Sequence, residues 1–469
     1  MRESIAVRSQ ILAALLFVGL AVGAACAVPH PAVLVAVCVL PLVAVFAFRN
    51  PFLLCLLFIL FTFFRLHEAF PALNPLRIPN MLALGSLAVL GAWVATGRLR
   101  FAWGPELKIF SILFGLVTFG VPLASGRDIA IAYWKDTYVK IAIMTFAIAS
   151  LARRPAEFAL AIRAFVAAGM LVAGVALYNS ANGIGLVEGT RVTVARDMRS
   201  VLGDPNDLSL VLLFPLSFAV ALVMTPRTGM LSRLLGLAGT AMMIAAILAT
   251  QSRGGLLGIV AVFGVFGARR IKSKLVLFGG GGAGLLGLSV VAGVGGRQSG
   301  GAAEAGAIDE SAMGRLEAWK AAWRMAVGRP FTGVGLDCYV ANFYYYSDWW
   351  EGFAKAVHST WFAVLAEGGF PGFVAFIAMC VRIVRTGIAA CNALSPAARG
   401  ERYEPAGFAM AQAVLSGMAG FIVSGTFLTQ AFTWPVYILL ALAAALGPYA
   451  DAARAATRDA GSEPARHAA

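Results

Sequence analysis

Only four histidines occur in the 469 residues, and one of them, His358, stands where a long polar stretch re-enters an apolar run at His358-Ser359-Thr360-Trp361-Phe362. A neutral imidazole at such a rim can take a proton from a hydroxyl that arrives from water. The other three sit elsewhere: His30 opens an apolar run, His67 lies in a short connection, and His467 is in the C-terminal tail. A lone histidine is more often a structural donor than a base, so the company of His358 decides its reading. Arg191, Arg196 and Arg199 share one loop with Asp204-Pro205-Asn206-Asp207, Arg253 occupies a Ser252-Arg253-Gly254-Gly255 tip, and Arg315 follows Gly314. A single arginine beside a membrane commonly snorkels to lipid headgroups. Several forked guanidinium groups converging on one site instead match phosphate oxygens. An aromatic loop, Tyr344-Tyr345-Tyr346 through Trp349-Trp350, precedes His358 and is suited to stacking on sugar faces or anchoring at headgroup level.

The elements that must position these groups are membrane helices. Hydrophobic residues make up 60% of the chain and charged residues 13%, and the mean hydropathy is +0.82, which excludes a soluble globular domain. The net charge of +14 would suggest nucleic acid in a soluble chain. Here most Lys and Arg fall in short connections between apolar runs, where they orient helices, and no nucleic-acid partner is expected. Six cysteines without a CxxC pair, and no histidine at ligand spacing, indicate neither a disulfide framework nor a zinc site.

Apolar windows long enough to cross a bilayer fall near residues 9–28, 30–48, 51–64, 79–96, 107–124, 137–152, 157–178, 207–225, 232–250, 254–268, 274–295, 359–381, 405–424 and 430–448. The fold class is therefore an all-α polytopic membrane protein of about 12–14 transmembrane helices, the short third and tenth windows being re-entrant or tilted. The first window reads as an uncleaved helix rather than a signal peptide. With the N-terminus in the cytoplasm every inside connection is basic, from Arg49 through Arg153 and Arg269 to Arg402 and Arg454, and both termini are cytoplasmic. The chain then divides into helices over 1–178, a periplasmic loop at 179–206, helices over 207–296, a large periplasmic loop at 297–357, helices over 358–450, and a disordered cytoplasmic tail at 451–469. Within the large loop, residues 312–327 carry Leu316, Trp319, Trp323 and Ala326 on one face and Glu317, Lys320 and Arg324 on another, which predicts an interfacial helix. Gly282-Ala283-Gly284-Leu285-Leu286-Gly287 matches a dinucleotide pattern but lies inside an apolar span, where close helix packing by small residues is expected. Glu367 is nine residues from His358, which turns it to another helix face, and Gly368, Gly369 and Pro371 read as structural.

Asp204-Pro205-Asn206 opening a helix, Ser252-Arg253-Gly254-Gly255, Gly314-Arg315 with Trp319 before Gly333-Val334-Gly335, and His358-Ser359 followed by Glu367-Gly368 and Pro371-Gly372 occur in that order. Across roughly residues 190–375 this set resembles the O-antigen ligase and polymerase superfamily, closest to the ligase-like branch that includes the O-glycosylation ligases of exosortase systems. The resemblance implies a C-type glycosyltransferase fold in the bacterial inner membrane with a periplasmic active site. It implies transfer of a glycan from undecaprenyl pyrophosphate to a glycan, lipid or protein acceptor, with no cofactor and no metal. Carried over by motif, His358 is the candidate base or acceptor-positioning group. Arg253 and Arg315 are candidates for the diphosphate, joined by Arg199 through Gly203 and Pro205-Asn206, or by Arg191. Trp319, Tyr345 and Trp349 are the candidate glycan or acceptor contacts. The family often has His-Asn where this chain has His358-Ser359, a departure that removes the amide.

Three other readings remain open at this stage: a polymerase or a protein O-oligosaccharyltransferase with the same donor chemistry, a transporter or flippase, and a non-enzymatic scaffold. A transporter places ionisable groups near the bilayer midplane, whereas these spans are nearly free of them.

Overall fold

The computed structural model describes Gly23 and residues 44–198, 200–293, 310–348 and 354–462. Among the described residues the protein is helical, with no strand beyond one isolated bridge between Val187 and Arg191. The principal helices are α1 (Pro51–Phe63), α2 (Ile78–Ala95), α3 (Pro105–Gly120), α4 (Val139–Leu151), α5 (Pro155–Asn182), α6 (Pro205–Met224) and α7 (Met230–Ala249). They continue with α8 (Arg253–Ala268), α9 (Lys274–Val291), α10 (Glu310–Gly328), α11 (Tyr339–Tyr346), α12 (Thr360–Ala393), α13 (Pro405–Gly425) and α14 (Trp434–Ser462). Lipid leaves the backbone no partner but itself, so apolar runs of this length close into helices. Their starts are written in the sequence as prolines in the first turn of α3, α5, α6 and α13, and as side-chain caps at Asp204, Ser252, Ser273 and Glu404.

Nine of the described helices are long and apolar enough to cross a membrane, and α1 and α8 are shorter apolar helices. Twelve of the fourteen expected windows fall on described helices, while those near 9–28 and 30–48 lie wholly or largely outside the described residues. The window near 137–152 is preceded by a short helix, Arg127–Tyr133, and a π-turn, Trp134–Tyr138, that lead into α4.

Helix α6 is the axis of the bundle. Of its hydropathic window 83% is buried, against 11% for α2 and none for α9, which puts α6 at the centre and the other two at the rim. Neighbours reach it through glycines: a Cβ at Gly169 of α5 would lie 2.5 Å from Pro215, at Gly236 of α7 2.8 Å from Ala219 O, at Gly258 of α8 2.3 Å from Leu213, and at Gly417 of α13 2.9 Å from Ser217. Small-residue packing therefore belongs to these helices. The expectation that it would occur at Gly282–Gly287 is corrected: a Cβ on Gly282, Gly284 or Gly287 would meet nothing within 4 Å.

Hydrogen bonds between connections define the two ends of the bundle. At one end Arg163 bonds Ser232, Arg270 bonds Met224 O, Tyr403 bonds Pro226 O, and buried Glu106 of α3 accepts from Arg382 Nε at 2.9 Å and Thr386 at 2.6 Å. The tail expected to lack structure from Asp451 instead extends α14 through Ser462, held where Arg399 and Arg402 bond Ala453 O and Ala456 O. At the other end lie the 183–204 loop, the Gln251-Ser252 tip, α10, α11 and the 426–433 connection.

Helix α10 agrees with the expected 312–327 helix in extent, but its buried face is Ala318, Ala321, Ala322, Met325 and Ala326, packed on α12. Leu316 and Trp323 of the expected apolar stripe remain exposed. Helix α12 breaks at Gly369, whose φ of +64° no L-residue adopts easily and whose Cβ would lie 2.6 Å from Pro330 O. The 330–335 turn fills the break, with Phe370 N donating to Pro330 O and Val334 N to Ala366 O. Glu367 points into that turn, accepting from Asp337 N and Tyr339 N, so it caps α11 and does not pair with His358.

Candidate functional site

Three helices, α6, α8 and α12, begin at the same end of the bundle, and their first turns are tied together by side chains. Asp204 caps α6 by accepting from Asn206 N at 2.8 Å and Asp207 N at 3.2 Å. Ser252 caps α8 by accepting from Gly255 N. Gly255 lets α8 close on α6, since a Cβ there would lie 2.9 Å from Ser209. Asp207 accepts from Gln430 Nε2 at 3.2 Å, and Gln430 N in turn donates to Thr360 Oγ1 at 3.1 Å, joining α6 to the start of α12. Thr360 also donates to Leu428 O at 2.8 Å.

Arg191 is the strut of this arrangement. It is 3% exposed and donates through Nε to Thr250 O at 3.0 Å and through Nη2 to Asn206 Oδ1 at 2.9 Å, with Glu188 3.5 Å from Nη1. Its neighbour Val192 N bonds Ala249 O, and Thr190 bonds Gln251, whose φ is +52°. The Arg191 guanidinium thus pins the Arg253 tip to the start of α6. Arg253 itself is exposed, as the first residue of α8.

His358 is held from both sides in a left-handed conformation, φ +45°, that a non-glycine residue adopts only under constraint. On one side the Trp319 indole N–H donates to Val357 O at 3.0 Å while its ring stacks on Phe362 at 5.4 Å. On the other, buried Ser359 leads into the Thr360 bonds. Arg315 lies one helical turn before Trp319, on the same face of α10. Burial holds the imidazole below the ordinary histidine value of 6.5, the Arg315 charge pushes the same way, and the Asp204 carboxylate opposes both. The result is an uncharged imidazole near neutral pH with a cation and a carboxylate within electrostatic reach. Asp337, just before α11, is pushed above the usual carboxylate range by burial.

Of the residues singled out in the sequence, His358, Arg315, Arg253 and Arg191 come to this one end. Trp319 lies beneath His358, with its N–H and one ring face engaged by the protein. Tyr345 projects from α11, 77% exposed and edge-on to Tyr344 at 5.4 Å. Arg199 and Trp349 lie outside the described residues. Sequence reasoning passed over Asn206, Asp207, Thr360 and Gln430 as site residues. The Asp-Pro pair marked a helix start, but Gln430 opened an apolar window and carried no signal of its own.

Fold and site define a multi-pass membrane protein whose histidine- and arginine-bearing centre is assembled from helix starts at one end of the bundle. Residues 238–377 match the family model described as O-antigen ligase, so over that stretch the chain is similar to that family. The matched stretch contains Arg253, Arg315, Trp319 and His358, while Arg191 and Asp204 precede it. No curated protein matched the chain.

Proposed function

We propose that the protein transfers a glycan from undecaprenyl pyrophosphate to an acceptor hydroxyl at the periplasmic face of the bacterial inner membrane. The observation that carries this reading is His358, constrained in backbone and kept neutral by burial and the Arg315 charge. The orientation is supported by the basic connections gathered at the opposite end, including Arg153, Arg227, Arg270, Arg382 and Arg402.

The acceptor O–H gives its proton to the imidazole as its oxygen bonds the anomeric carbon, and the bond from that carbon to the diphosphate oxygen breaks. Undecaprenyl diphosphate leaves with the electron pair. Attack from the face opposite the diphosphate inverts the centre. Arg253 and Arg315 meet the charge that grows on the leaving group, and guanidinium donors strengthen as water is excluded. Arg191 acts through the tip that carries Arg253.

The deciding experiment is deletion of the gene followed by glycan analysis. Long lipid-linked polymer accumulating unattached identifies a ligase, single repeat units a polymerase, and bare glycoproteins a protein-directed transferase. A deletion strain whose lipid-linked glycans and glycoconjugates are unchanged contradicts the reading.

A further inference from the structure

A cavity of about 350 Å³, with both polar and apolar lining residues, lies beside Gln430. Its volume falls within the ~300–1,000 Å³ of small-molecule sites. It is walled by the end of α1, the start of α2, the π-turn before α4, the end of the 426–433 connection and the start of α14. Several features mark it as more than a packing gap. The π-turn Trp134–Tyr138 brings Asp136 and Thr137 to its wall, and such turns recur at functional sites. Arg65, also on the wall, has φ +49°.

The chemistry of the wall favours a saccharide. Cationic Arg65 and Lys140 are matched by Asp136 on the wall and by Glu68, which bonds Arg65 Nη1 at 2.6 Å, so no net field selects an anion. Asn80 and Asp136 line the cavity together with Tyr133, Trp434 and Gln430, the last with its amide already bonded to Asp207 and Thr433. Hydroxyl-bonding edges between ring-stacking faces are what a sugar requires.

Its placement fits the acceptor rather than the donor. On α6, Asn206 and Ser209 turn to Arg191 and Gly255, whereas Asp207 and Val211 lie roughly 100° or more around the helix, toward Gln430 and the cavity. The cavity and the Arg253 tip therefore flank α6 on different sides, with the Gln430–Thr360 bond leading from the cavity to His358.

We propose that this cavity is the subsite for the acceptor's saccharide, binding a neutral sugar residue next to the hydroxyl that reacts. The assignment of the cavity to the acceptor rests on the transferase reading above; the assignment to a sugar does not. The test uses the full chain purified in detergent, with Asn80→Leu and Asp136→Asn as two variants, each checked by gel filtration and thermal melting. Saturation-transfer NMR with methyl glucoside and methyl N-acetylglucosaminide should show contact in the wild type and in His358→Ala, and loss of contact in both cavity variants. Unchanged signals in folded variants, or displacement of the glycosides by inorganic phosphate or phosphatidylglycerol vesicles, overturn the sugar site. In transfer assays the same variants should raise acceptor KM about tenfold, the weight of one or two lost hydrogen bonds, with donor KM unmoved. A rise in donor KM instead overturns the acceptor assignment. An inactive wild type refutes the transferase reading, and the binding measurement then still judges the sugar site.

Discussion

Replacing Arg191 by alanine separates a strut from a ligand contact. The side chain is 3% exposed and satisfies Thr250 O at 3.0 Å and Asn206 Oδ1 at 2.9 Å. Truncation leaves both acceptors without their donor, the Thr250 carbonyl buried and the Asn206 amide oxygen only partly so. An orphaned buried group costs about 1–3 kcal/mol, which applies to the Thr250 carbonyl, while water can reach the Asn206 oxygen and return most of its share. The loss falls on the tip that presents Arg253 and on the start of α6, so it lowers melting temperature and transfer rate together. Lysine cannot repair it, because one ammonium cannot span both acceptors in the planar fork that arginine offers. The assay is thermal melting of the detergent-purified protein alongside donor and acceptor titrations. Arg191→Ala with wild-type melting and a defect confined to donor KM would show a direct grip on the diphosphate, and would refute the strut.

Further outcomes follow from His358 and its supports. Since burial and Arg315 keep the imidazole below 6.5 and only the neutral form accepts a proton, the acid limb of kcat/KM should lie below pH 6.5. Arg315→Gln should move that limb upward and Asp204→Asn downward; limbs unmoved by both would separate His358 from the rate. The same depression means the unfolded chain protonates first, so stability from the neutral imidazole is full above 6.5 and declines as pH falls below it. Trp319→Phe keeps the stack on Phe362 but loses the bond to Val357 O, costing about 1 kcal/mol of stability. Its transfer rate should fall by more than its melting point explains, and an unchanged rate would remove Trp319 from the positioning of His358.

Apolar run length and proline-marked starts made the spans legible, because lipid allows a run of that kind to do little else than close into a helix. The ordered motifs Asp204-Pro205, Ser252-Arg253 and His358 were legible for a related reason: each sits at or just before a helix start, where local chemistry is written in consecutive residues, while Gly314-Arg315 lies in the second turn of α10. What depended on contacts between distant segments was not legible. Nothing near Gly417 or Gly236 distinguishes them from Gly282, yet the first two touch α6 and the third touches nothing within 4 Å. The Asp207–Gln430–Thr360 link joins residues 223 and 70 positions apart, and only the fold brings them together. The tail misled because Ala, Arg and Asp read as solvated, whereas carbonyls of the extended α14 accept from Arg399 and Arg402 across the connection.

The most direct test of the whole account is single-turnover transfer from a purified polyprenyl-diphosphate glycan by the wild type and by His358→Ala and Arg253→Ala, each inserted at wild-type level and melting normally. Transfer lost in both variants, with donor binding kept by His358→Ala and weakened by Arg253→Ala, is the predicted result. Wild-type transfer by either variant would contradict the assignment of these residues to the reaction.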